Sequence, residues 1–68
     1  MIRNDRELEA MMDRITRFQR QLEHLRRTES NAVNYRLSAA GFLAELDRMN
    51  LEVREYLQLH PSEVPTTA

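Results

Sequence analysis

The feature that most limits what this chain can become is a run of apolar residues at alternating short spacings. Leu8, Met11, Ile15, Phe18, Leu22 and Leu25 follow one another at intervals of 3, 4, 3, 4 and 3 residues. A helical period of 3.6 residues gathers such positions into one stripe, whereas a strand would scatter them over both faces. Leu8, Ile15 and Leu22 take the a positions of a heptad and Met11, Phe18 and Leu25 the d positions, the pattern of a helix zipped against another helix. Met12, at an e position, widens the stripe.

The flanks of this run read as helix ends. Asn4 is a good N-cap type, with Glu7 three residues on, where a carboxylate reaches back in a capping box. Asp5, Glu7 and Glu9 place negative charge at the start, and Arg26 and Arg27 place positive charge at the end, both in the sense the helix dipole favours. A first helix over residues 5–28 is therefore expected. From Thr28 to Leu37 the pattern breaks. Ser30, Asn31 and Asn34 favour turns, because their side chains compete for backbone hydrogen bonds. The expectation is a loop over 29–38, part of which fits one helical turn, with Tyr35 folded back over the junction.

The stripe resumes with Phe42, Leu46, Met49, Val53 and Tyr56 at spacings of 4, 3, 4 and 3, broadened by Leu43 and Leu57. Ser38 is an N-cap candidate, and Leu37 with Phe42 matches a hydrophobic staple. Gly41 weakens this helix but allows close backbone approach. Pro61 disfavours helical geometry in the residue before it, so the second helix is expected over 39–60, with a frayed tail over 61–68.

Two helices of similar length and a short connection give an all-α, antiparallel hairpin within residues 1–60, packed at about +20°. A domain of roughly 60 residues buries only about 60% of the surface of its unfolded chain, and small scaffolds usually need a staple. The 68 residues include no cysteine, so neither a disulfide nor a thiolate metal site supplies one. Association is the remaining source of burial: a homodimer, two hairpins forming a four-helix bundle, is the expected state. Leu51 and Leu59 fall outside the stripe. They read either as singly exposed leucines or as a second contact surface. Asn50, at an e position, either fixes register, as a buried Asn does in coiled coils, or is solvated.

The chemistry open to such a chain is narrow. Carboxylate-bridged metal bundles use Glu-x-x-His, but Gln21 and Leu57 stand three residues before His24 and His60. Ser30 and Ser38 read as loop and cap residues, not as nucleophiles held by a base. Glu45 with Asp47, and Glu52 with Glu55, have the spacing of a solvated helix face, and no glycine-rich phosphate loop is present. No catalytic, cofactor-binding or metal-ligating residue is assigned, and a non-enzymatic protein is expected.

Nucleic acid is the rival ligand. Arg14 to Arg27 holds five Arg and one acid, and Arg17, Arg20 and Arg27 lie with His24 on one side of the first helix, where they would meet phosphates. Against this, the formal net charge is only −1, Asp13 shares that side, and no aromatic residue interleaves for base stacking. A membrane surface fits less well, since interfacial helices carry strongly basic faces. With no apolar leader segment and no apolar run of about 20 residues, the expected location is cytoplasmic.

The segment Asn34-Tyr35-Arg36-Leu37-Ser38, then Gly41-Phe42-Leu43-Ala44-Glu45-Leu46-Asp47-Arg48-Met49 and Leu51-Glu52-Val53-Arg54-Glu55-Tyr56-Leu57, resembles small bacterial proteins related to antitoxins of the HigA/Xre type. The opening, Met1-Ile2-Arg3-Asn4-Asp5-Arg6-Glu7, is similar to the way such hairpins begin. The resemblance spans residues 1–60 and rests on a helix pattern rather than a site. It implies dimerisation and helix-mediated binding of a protein partner in an antitoxin-like or regulatory setting. It carries no DNA-binding residue across, because the helix-turn-helix domain that follows such a hairpin has no counterpart here.

Overall fold

A computed structural model describes residues 1–63. It contains two long helices, α1 (Asp5–Thr28) and α2 (Ala32–Leu57), and a short 3₁₀ turn at Pro61–Glu63. The helices pack against each other as a hairpin, and the molecule is a rod of 49 × 16 × 15 Å. Among the described residues there is no strand.

Helix α1 starts where its residues require. The Asn4 side chain accepts from the Glu7 backbone N–H at 2.8 Å, and the Glu7 carboxylate accepts from the Arg3 N–H at 2.8 Å. One donor of the first turn is thereby satisfied, and the residue ahead of the cap is tied back to the helix. At the other end, the Glu29 N–H donates to the Leu25 carbonyl at 2.9 Å.

The connection is much shorter than the sequence suggests. Only Glu29, Ser30 and Asn31 separate the helices, and the expected loop over 29–38 is mostly the first two turns of α2. The cap is Asn31, not Ser38. Its side chain accepts from the N–H groups of Val33 and Asn34 at 2.9 and 3.0 Å, while its own N–H donates to Glu29. With Asn31 outside the helix, Asn34 and Ser38 become exposed residues of a continuous helix, and Leu37 is 73% exposed, which rules out a staple to Phe42. Helix α2 also stops at Leu57 rather than at His60; Leu59 and His60 lie beyond it, ahead of the 3₁₀ turn. Of the expected tail, residues 64–68 lie outside the described residues.

The early start of α2 lengthens the seam. Reading back from Phe42 by 3 and then 4 residues gives Ala39 and Tyr35; Ala39 is buried and Tyr35 half-buried. The α2 stripe is therefore Tyr35, Ala39, Phe42, Leu46, Met49, Val53 and Tyr56, and it matches α1 turn for turn. Ile15, Leu46 and Met49 form the buried centre, with Met11, Phe18, Leu22 and Val53 packed around it. Met49 is 0% exposed. Leu8 and Leu25 are half-buried nearer the ends. The Phe18 and Phe42 rings meet edge to face, with centroids 5.9 Å apart at 69°. At the open end the Tyr56 hydroxyl donates to the Asp5 carboxylate at 2.6 Å. These two contacts, 18 with 42 and 5 with 56, fix an antiparallel register.

Candidate interaction surface

The antiparallel register decides which flanking residues share a side. In an antiparallel pair the e positions of both helices line one edge of the seam and the g positions the other. The g edge is charged. Arg14 of α1 stands close enough to Glu45 of α2 to help lower its carboxyl pKa, although the hydrogen bond from Arg48 is the larger cause. Arg48 also pairs with Glu52 at 3.2 Å, and its own pKa is raised, chiefly by the hydrogen bond to Glu45. Glu52 accepts in addition from the Met1 ammonium at 3.0 Å, and that bond is the main reason its pKa is lowered. The ion pair draws the first residues across the hairpin, so that Ile2 is buried at 6% exposure. Shallow hollows flank it, one shared with Glu7, Ala10, Met11 and Arg14, the other with Glu52, Glu55, Tyr56 and Leu59.

The e edge is different. Met12 of α1 and Leu43 and Leu57 of α2 are about half exposed or more, and Asn50 among them is exposed as well. The sequence suggests that these apolar residues broaden the stripe, but the facing helix leaves each of them exposed.

A second exposed apolar row lies on the back of α2. Val33, Leu37, Ala40, Ala44 and Leu51 recur at spacings of 4, 3, 4 and 7, which places them in the b and f rows, turned away from α1. All are exposed, Val33 at 61%, Leu37 at 73% and Leu51 at 53%. A side chain added at Gly41 beside them would meet nothing within 4 Å. The charged residues in these rows are Asp47 and Arg54. A helix that is apolar on two opposite faces has the composition of one buried on both. The row is hidden in the sequence because Val33 and Leu37 fall in the stretch 29–38 that reads as a loop, and Ala40 and Ala44 are too small to mark a stripe by themselves. Once α2 is known to begin at Ala32, the same spacing rule finds them.

Leu51 and Leu59 do not form one surface. Leu51 belongs to the outer face of α2, whereas Leu59 follows the helix and lines the hollow beside Met1 and Ile2. The outer face of α1 is polar in contrast. Arg17, Arg20, His24 and Arg27 are exposed there with Asp13, and Arg27 pairs with Glu23 at 3.3 Å. Ser30 and Ser38 are exposed. Among the described residues no group of three or more His, Asp or Glu side chains gathers to hold a metal ion, and no helix is long and apolar enough to cross a membrane. No family model matches this chain, and no curated protein or solved structure is significantly similar to it.

Proposed function

We propose that this protein is a non-enzymatic interaction module: a helical hairpin that forms a homodimer of four helices and offers the assembled surface to a protein partner. The observation that carries the reading is the outer face of α2. Its stripe toward α1 is used up inside the hairpin, yet an apolar row of similar length faces water on the other side.

The resemblance to antitoxin-related hairpins points the same way, toward an antitoxin-like or regulatory role. A nucleic-acid role through Arg17, Arg20 and Arg27 is less well supported, because Asp13 lies among these arginines and Glu23 pairs with Arg27.

Sedimentation equilibrium at micromolar concentration tests the proposal. A mass of two chains is expected. A well-folded species of one chain's mass overturns it.

A further inference from the structure

We infer that the second copy seats antiparallel on the outer face of α2, about a two-fold axis passing at Ala44. This inference rests on the homodimer proposed above and specifies its interface.

A two-fold interface must be self-complementary: if residue i meets residue j of the other copy, j must meet i. The f row of α2 has this property. Leu37 and Leu51 lie seven residues to either side of Ala44, so reversing the helix maps the row onto itself. Leu37 then meets Leu51 of the second copy, Leu51 meets its Leu37, and the two Ala44 methyls face each other on the axis. The same reversal maps Leu43 onto Leu57 about Asn50 in the e row of α2, but there two polar Asn50 side chains, not two methyl groups, would meet on the axis.

The flanking rows agree. With Ala44 on the axis, Ala40 lies across from Asp47 of the second copy, so each Asp47 meets a methyl group at the rim and keeps its carboxylate in water. On the other flank Gly41 lies across from Arg48 of the second copy. The empty space beside Gly41 accommodates that long side chain, whose guanidinium is already held by Glu45 and Glu52. Small residues at 40, 41 and 44 let the two axes approach to ~8 Å, the short end of helix spacings. The Leu37 and Leu51 pairs then close the contact at both ends. The assembly is a row of four helices, α1–α2–α2–α1, with the polar faces of α1 outermost.

The absence of cysteine makes the geometry directly testable. Single-cysteine variants are air-oxidised and the disulfide-linked fraction is measured, with sedimentation and circular dichroism of the reduced proteins alongside. Ala44→Cys is expected to cross-link to itself nearly completely, because facing residues on the axis meet the Cα separations a disulfide needs. Leu37→Cys alone is expected not to, since the two copies of residue 37 would lie about 21 Å apart along the helix. A mixture of Leu37→Cys and Leu51→Cys should give the hetero-dimer. Gln19→Cys, on α1, serves as the exposed control and should stay unlinked. If the reduced protein is a dimer but Ala44→Cys links no better than Gln19→Cys, the axis is elsewhere and this geometry is overturned while the dimer stands. A folded monomer would overturn both.

Discussion

Met49 is the residue on which the hairpin leans most heavily. It is wholly enclosed, clustered with the buried Ile15 and Leu46 at the middle of the seam. A core this thin has few neighbours able to move in and refill a void, so Met49→Ala is expected to fall within the 2–5 kcal/mol range for such truncations. Urea titration followed by circular dichroism measures it, and a loss below about 1 kcal/mol would mean that the seam is packed differently. Tyr56 makes a different kind of contribution. Its hydrogen bond to the Asp5 carboxylate, helped by burial, holds the phenol pKa above its ordinary 10.0. A group whose pKa is raised by folding stabilises the fold fully below its unfolded pKa and loses that contribution as pH rises through the folded one. Stability should therefore decline above pH 10, and Tyr56→Phe should flatten that decline while lowering stability at neutral pH. Denaturation midpoints at pH 8 and pH 11 for both proteins supply the comparison; parallel profiles would show that the Asp5 contact does not form. Glu45 and Glu52, both with lowered pKa values, act in the opposite sense, and their contribution disappears as acid protonates them.

At the scale of the element, the informative boundary is the start of α2. Two hydrogen bonds from Val33 and Asn34 end on one side chain, that of Asn31, after only three connecting residues. Replacing a capping Asn by Ala typically costs about 1 kcal/mol, so Asn31→Ala should destabilise the hairpin by that amount and Ser38→Ala by almost nothing. A larger loss from Ser38→Ala than from Asn31→Ala would place the cap where the sequence alone suggests it. Why the sequence misled here is instructive. The a/d spacing from Leu8 to Leu25 and from Phe42 to Tyr56 was legible because each position carries a large apolar side chain. Between them the seam continues through Tyr35 and Ala39. Ala39, though buried, is too small to register as part of a stripe, while Ser30, Asn31, Asn34 and Ser38 all carry turn chemistry. Only Asn31 uses it. Asn34 and Ser38, on α2, sit on sides of the helix where a polar residue costs little, and tertiary packing along the seam outweighs their weak local preference. The same misreading concealed the outer face of α2, since Val33 and Leu37 lay in the supposed loop. Leu51 stands outside the stripe in the sequence, and without its neighbours upstream it reads as isolated.

For the whole molecule, association and stability should be linked. If two hairpins bind through α2, the folded state is favoured by mass action, and the melting temperature must rise with protein concentration. A hairpin that stands alone melts at the same temperature at any concentration. The outer face of α2 supplies the discriminating variant. Leu37→Glu with Leu51→Glu places four carboxylates in the proposed interface of the dimer without touching the seam toward α1, because both leucines face water within the hairpin. Burying unpaired charge is strongly unfavourable, so the double variant should be monomeric. Its melting temperature should be independent of concentration and should match the native protein's at high dilution. Glu is a good helix former, so the helical signal at low temperature should survive, which separates loss of association from loss of folding. Melts of both proteins over a hundredfold range of concentration provide the test. A concentration-dependent melt that persists in the double variant would mean that the hairpins meet elsewhere, with the edge lined by Met12, Leu43 and Leu57 as the next surface to alter. The thin seam gives the experiment its sensitivity: with three buried residues at its centre, only one of them wholly enclosed, the lone hairpin has little stability of its own to mask the contribution of a second copy.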